Sequence, residues 1–353
     1  MDLIRLNEIM DRFSNLRAAV LGDIFLDRLL YADRHLDELS VETGLTAYQI
    51  TRRNCLPGAG GVVSSNMMTL GVSKCYVMAL MGNDGEAFDL EKGLKKTGCD
   101  TSCMIREEGR FTPTYTKVFF LGEQIEETNR IDMKQRNCMS TLSEKKVIRN
   151  LMKLEEQVDV IVCLEQIRNS EYGLFTDSVI ETLSDISKRG KVRVLVDSRY
   201  NLNRFSHVIK KCNDMEIMRL AGFDTGNESC PDTLHDLQVE TAVRNLHFGE
   251  EMPVYISCGN KGIRVFDGQS SVCVPALHLD GILDICGAGD SALAGIACAL
   301  CSGATDEEAA LVGNLVASVI VQQIGTTGTA DRDQVRDAFA RYHQQHSQQA
   351  YWI

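Results

Sequence analysis

The sequence predicts an α/β protein: a three-layer α/β/α domain around a mostly parallel twisted sheet, with a small β lid. Three observations carry this. From Ser143 onward, short apolar runs at 158–164, 192–197 and 254–258 alternate with helical stretches at the spacing of βα units. Near the N-terminus, Ala18-Ala19-Val20-Leu21-Gly22 reads as a short buried strand ending in a turn. Residues near 31–56 and 110–133 are more polar, with a loose two-residue alternation that fits a half-exposed sheet. With 353 residues the chain has room for a large core, and it reads as one domain over 1–353.

In chain order, Leu3, Leu6, Ile9, Met10 and Phe13 recur at helical spacing over 1–16. After the first strand, Gly22 to Arg28 leaves the sheet edge, carrying Asp23 and Asp27. Pro57-Gly58-Ala59-Gly60-Gly61 opens a helix over 62–70 that stops at Gly71. A strand over 75–80 ends in Gly82-Asn83-Asp84-Gly85, and a helix over 88–96 is closed by Gly98. Runs at 112–121 and 124–132, separated by Gly122-Glu123, read as a hairpin. The Gln-rich stretch 343–353 reads as a flexible tail without metal ligands, His343 and His346 included.

Composition narrows the function. A net charge of −12 argues against binding a nucleic-acid backbone, while leaving room for a local anion site. The start of the chain does not resemble a signal peptide, and no uninterrupted apolar run suggests a membrane span, so a cytoplasmic protein is expected. The 13 cysteines are scattered and odd in number. Cys298-x-x-Cys301 and Cys99-x3-Cys103 read as buried thiols, not metal ligands.

The most informative stretch is Asp284-Ile285-Cys286-Gly287-Ala288-Gly289-Asp290, followed by a small, apolar helix. A glycine-rich turn feeding a helix aims unpaired N–H groups and the positive end of the helix dipole at one place, which suits phosphate. Asp290 then lies in the first turn. The local pattern leaves two readings for it, a helix cap or an acceptor for a hydroxyl proton.

The pattern Asp-x-x-Gly-Ala-Gly-Asp resembles the signature of the ribokinase-like (PfkB) carbohydrate kinases. The resemblance extends from Gly22 to Thr326 and is closest to the heptose-phosphate kinase branch, often fused to a nucleotidyltransferase for which this chain leaves no room. It implies that Asp290 is the catalytic base and that Gly287, Ala288 and Gly289 form the anion hole. It assigns Asn213 and Glu216, an Asn-x-x-Glu pair, to Mg²⁺ and the ATP phosphates through water. Ser257, Gly259, Gly262, Asn314 and Gly325 are expected on the nucleotide side. A monovalent cation such as K⁺ is implied beside Asp284. On the substrate side it implies Asp27, Asp23, Gly58, Gly60, Lys117 and Arg130, and it places Glu165-x-x-Arg168 where that branch carries Asp-x-x-Lys. The usual sugar-contacting Asn falls on Val62, with Asn66 one helical turn further on. The expected reaction transfers the γ-phosphate of ATP to a hydroxyl of a sugar or sugar phosphate, with a homodimer through the lid. Two alternatives are a nucleoside or vitamin kinase of the same fold and a non-catalytic sugar- or nucleotide-binding relative.

Overall fold

The computed structural model describes residues 1–122, 125–223, 232–268, 270–325 and 328–349. Its centre is an eight-stranded sheet. In spatial order the strands are Ser271–Val274, Ile263–Phe266, Val254–Ser257, Ile209–Asn213, Arg193–Ser198, Val160–Glu165, Arg17–Gly22 and Lys74–Met78. All neighbours pair in parallel except the hairpin edge, where Val254–Ser257, Ile263–Phe266 and Ser271–Val274 run antiparallel.

Alternation along the strands builds the three layers, because successive side chains leave a strand on opposite faces. Ala18, Val20, Val160, Val162 and Leu164 enter one core, shared with the helices Leu3–Asp11, Gly60–Thr69, Ala288–Cys301 and Asp306–Ile320. Ala19, Leu21, Ile161 and Cys163 enter a second core, shared with Thr141–Leu154 and Asp177–Lys188. A third, smaller cluster of Ile24, Leu26, Val77, Leu90, Leu94 and Cys99 seats the helix Gly85–Lys96 under the lid.

The lid is larger than the sequence suggests. Its first strand is Ile24–Asp33, starting one residue after the central sheet's first strand plus Asp23, and its second is Ile50–Ala59. Thr114–Leu121 pairs in parallel with the first and antiparallel with Ile131–Met133 and Glu126–Glu127. Asp27 therefore stands in mid-strand, opposite Leu56 and Tyr115, instead of in a loop at the sheet edge. The expected hairpin turn includes Glu123, outside the described residues. Residues 343–349 continue the helix Arg332–Gln349, which Val335, Ala338 and Phe339 hold to the core, so the expected tail is helical over those residues.

Gly22 ends the first strand at φ 122°, and a Cβ there would meet the Leu164 carbonyl and the Phe175 ring, so only glycine fits. The chain moves from this strand to Lys74–Met78 on one side and later to Val160–Glu165 on the other. That reversal opens a crevice at the strands' C-terminal ends, the usual ligand position in such sheets.

Candidate active site

Asp23 occupies the crevice. Its Oδ2 accepts the N–H of Gln166 at 2.5 Å and of Ile167 at 2.9 Å, both just past the neighbouring strand. Burial pushes its carboxyl up to about 7, against the pull of those two N–H groups. Asp27 faces the same region from the lid. Burial raises it to about 6, opposed by Lys117 and Arg130. Gly58 makes this carboxylate possible, since a Cβ there would lie 2.3 Å from Asp27 Oδ2. Gly60 packs against Ile24 beneath Asp23, with its N–H on the Asp23 carbonyl at 3.1 Å.

Across the crevice lies the glycine turn. Gly287 is left-handed, with φ 78°, and starts the helix Ala288–Cys301. The N–H of Ala288 is donated to the Ile285 carbonyl at 3.2 Å. Those of Gly287 and Gly289 have no hydrogen bond among the described residues. Asp284 holds the turn in shape, its Oδ1 accepting from Cys286 N and its Oδ2 from Gly325 N, each at 3.0 Å. Asp290 Oδ1 accepts from Gln166 Nε2 at 3.4 Å. Burial raises the Asp290 carboxyl to about 6, helped by Asp197 and opposed by Lys211 and Arg199. Asp290 is thus not the helix's N-cap; Gly287 takes that place.

The main groups missed in the sequence are cations. Lys211, 4% exposed, pairs with Asp197 Oδ2 at 2.6 Å. Burial works against its charge, but Asp197 outweighs burial and the ammonium is held above its ordinary range. Its Nζ lies 3.0 Å from where a Gly289 Cβ would stand, directly beside the start of the helix Ala288–Cys301. Arg199 follows the strand Arg193–Ser198, is exposed, and forms no ion pair among the described residues. Its charge acts on Asp23, Asp290 and Glu216 together. Neither Lys nor Arg stood in a recognisable spacing; the only signal was Asp197-Ser198-Arg199 at the end of an apolar run.

On the nucleotide side, Asn213 and Glu216 form a capping box: Glu216 N donates to Asn213 Oδ1 at 2.7 Å and Asn213 N to Glu216 Oε2 at 2.8 Å. Burial and then Asp197 raise the Glu216 carboxyl, opposed by Lys211, the Asn213 N–H and Arg199. Ser257 donates its hydroxyl to the Cys212 carbonyl at 3.3 Å. Gly262 packs where a Cβ would strike the Val274 carbonyl, whereas a Cβ on Gly259 would meet open space. Asn314, 6% exposed, donates its amide to the carbonyls of Val274 and Pro275 at 2.9 and 3.2 Å, clamping that segment.

Several substrate-side residues have partners of their own. Lys117 pairs with Glu127 at 3.2 Å, and Arg130 with Asp132 at 2.6 Å. Arg130 also lies over the Tyr115 ring, 4.7 Å from its centroid. Glu165 is 1% exposed, accepts the Ser198 hydroxyl at 2.6 Å and pairs with Arg204 at 3.7 Å. Within the structure it is thus a buried acid held by Ser198 and Arg204. Val62 is 2% exposed. Asn66 donates to the Val62 carbonyl, Ser291 Oγ and the Gly328 carbonyl, and accepts from Ala330 N. It ties the helix Gly60–Thr69 to the helix bearing Asp290. Asn66→Ala leaves those buried groups unpaired, with an expected loss of about 1–3 kcal/mol for each one unsatisfied. Urea unfolding checks this; an unchanged midpoint would show the tie is dispensable.

The profile of the pfkB family carbohydrate kinases matches residues 16–333, and the chain belongs to that family. Bifunctional HldE proteins of Trichlorobacter lovleyi and Aliarcobacter butzleri are each 27% identical to this chain, over 332 and 334 residues. Both alignments cover 93% of this chain but 64% and 65% of the relatives, so the chain spans less than two thirds of their length. The fold is that of ribokinases. The Arabidopsis thaliana ribokinase in complex with ribose and ATP superposes with a TM-score of 0.66 at 19% identity, covering 92% of this chain and 98% of the ribokinase. The Thermotoga maritima ribokinase gives 0.65 at 21% identity, covering 92% and 99%.

Proposed function

We propose that this chain is an ATP-dependent carbohydrate kinase that phosphorylates a hydroxyl of a phosphorylated sugar, with Asp290 as the base. The observation that carries the phosphosugar reading is the cation set on the acceptor side. Lys117 and Arg130 act on Asp27, and Arg199 acts on Asp23 and Asp290. Asp27 and Asp23 accept hydrogen bonds from hydroxyls of the acceptor, while Arg130 exchanges Asp132 for its phosphate.

In this reading, the β- and γ-phosphates of ATP lie against the N–H groups of Gly287 and Gly289, with Ala288 between them. Lys211 and the helix dipole hold the developing charge there. Asp290 takes the proton of the attacking hydroxyl as the oxygen bonds to the γ-phosphorus and the bond to ADP breaks. Ser257, Gly259, Gly262, Asn314 and Gly325 shape the nucleotide side. The half-buried Glu216 carboxylate and Asn213 would face the water shell of an ATP-bound Mg²⁺, which would supply charge neutralisation on the phosphates. No three His, Cys, Asp or Glu side chains among the described residues are grouped to hold a metal. A K⁺ ion at Asp284 would have to share oxygens that each already accept an N–H.

A cytoplasmic setting and a lid-mediated homodimer complete the proposal. No helix among the described residues is long and apolar enough to cross a membrane. Leu39, Val41 and Leu45 are exposed on the lid, and sedimentation tests their pairing. Phe111 is exposed, but the other two lid aromatics able to stack on a nucleoside are engaged within the lid, Tyr115 edge-on to Phe25 at 4.7 Å and Tyr48 edge-on to Phe120 at 4.7 Å. That favours a sugar over a flat base.

ADP release measured across free sugars, sugar phosphates and nucleosides tests the substrate class. The sugar phosphates are expected to give the highest kcat/KM, and Arg130→Ala to raise KM for them roughly 10-fold or more, the worth of one charge-assisted contact. Preference for free ribose, with Arg130→Ala harmless, would overturn the phosphosugar reading.

A further inference from the structure

Among the described residues the cysteines are free, and most are isolated from one another. Cys75 and Cys99 are different. Cys75 lies in the strand Lys74–Met78, and Cys99 just beyond the helix Gly85–Lys96. Tyr76 and Asp100 form a parallel bridge, with Asp100 N on the Cys75 carbonyl at 2.8 Å and Val77 N on the Asp100 carbonyl at 2.9 Å. The residues one place before this bridge are Cys75 and Cys99. Adjacent register puts their side chains on one face at the separation of neighbouring strands, within the range a disulfide spans. The two thiols lie close enough to act on one another's titration.

We propose that Cys75 and Cys99 form a peroxide-sensitive dithiol that closes into an intrachain disulfide. The Cys99 thiolate attacks hydrogen peroxide, giving a sulfenic acid and, with a proton, one water. The Cys75 sulfur then attacks the sulfenic sulfur, and the displaced hydroxyl leaves with the Cys75 proton as a second water. Two thiols are oxidised and one peroxide is reduced.

The surroundings divide the roles. The neighbouring Cys75, with Thr97 and Ser64, draws the Cys99 thiol down to about 7 against the effect of burial. Thr97 Oγ1 is 3.5 Å from the Cys99 sulfur. The same pairing with Cys99, together with burial, lifts Cys75 well above the ordinary thiol range. Cys99 is also the more accessible, at 5% exposure against 0% for Cys75. Cys163 and Cys212 are lifted by burial with no thiol in hydrogen-bond contact, and they serve as internal controls. Cys298, which also acts on Cys75, is the competing partner. The link would fasten the end of the helix under the lid to the central sheet.

The experiment is peptide mapping of the folded protein after hydrogen peroxide treatment at neutral pH, with remaining thiols alkylated on unfolding. The expected product is a Cys75–Cys99 linked peptide, two hydrogens lighter than the reduced pair and restored by dithiothreitol, with Cys163 and Cys212 still reduced. Alkylated Cys75 and Cys99 alongside oxidised Cys138, Cys273 and Cys286 would overturn the proposal, as would a Cys75–Cys298 link. In Cys75→Ser, dimedone is expected to trap the sulfenic acid on Cys99, and an untouched Cys99 would contradict its role as the attacking thiolate. The wild-type mapping stands whether or not that variant folds.

Discussion

Asp290→Asn is expected to lower kcat by roughly 10²–10⁴-fold, the usual worth of a general base. The substitution keeps the size of the side chain and its hydrogen bond with Gln166, but it removes the site that accepts the hydroxyl proton. Binding of Mg-ATP should stay the same or tighten, because a negative charge near the phosphates is removed. The split between kcat and nucleotide affinity is what distinguishes a base from a structural group. Calorimetry of nucleotide binding beside steady-state turnover gives both quantities, and near-normal turnover would remove Asp290 from the chemistry.

Lys211→Met should cost both stability and activity. The ammonium is buried against Asp197, itself 8% exposed, so the variant strands a carboxylate without its partner. Breaking one side of a buried pair costs about 3–5 kcal/mol, whereas removing both charges is often close to neutral. The double variant Lys211→Met/Asp197→Asn should therefore recover much of the lost stability in a denaturant titration. Turnover should not recover with it, since the cation beside Gly289 is still missing. Recovery of both together would reduce Lys211 to a structural role.

A pH dependence follows from the same acids. Asp290 and Asp27 are raised to about 6 by burial, and the base must be ionised to act. Turnover is therefore expected to hold above that region and to fall as pH drops through about 6. Arg199 holds Asp290 down, so Arg199→Ala should move this limb to higher pH. An unshifted limb would mean that Arg199 does not act on the base.

Much of the fold was legible because burial on both faces leaves a plain mark. Ala18 to Gly22 and the later apolar runs are strands of the parallel sheet, and the turn 284–290 begins a buried helix. The lid boundary was hidden: Phe25, Leu26, Leu29 and Tyr31 are apolar, yet they continue a strand out of the central sheet into a second one. Lys211 was hidden for a different reason. Lys210-Lys211 looks like solvated charge, and only Asp197, 14 residues earlier, makes burial of one lysine tolerable. Glu165 kept the sign of charge the resemblance implied, but Ser198 and Arg204 claim it, and short spacing cannot show which neighbour a strand residue meets. At the C-terminus the Gln-rich composition masked a helix whose few apolar residues suffice to dock it.

The most direct test of the central claim is a crystal structure of the protein with Mg-ADP and the preferred acceptor. The account predicts phosphate oxygens on the N–H groups of Gly287 and Gly289 beside Lys211, with one acceptor hydroxyl on Asp290 and others on Asp27. A nucleotide bound away from that turn, or an acceptor whose hydroxyls lie beyond hydrogen-bond reach of Asp290, would contradict it.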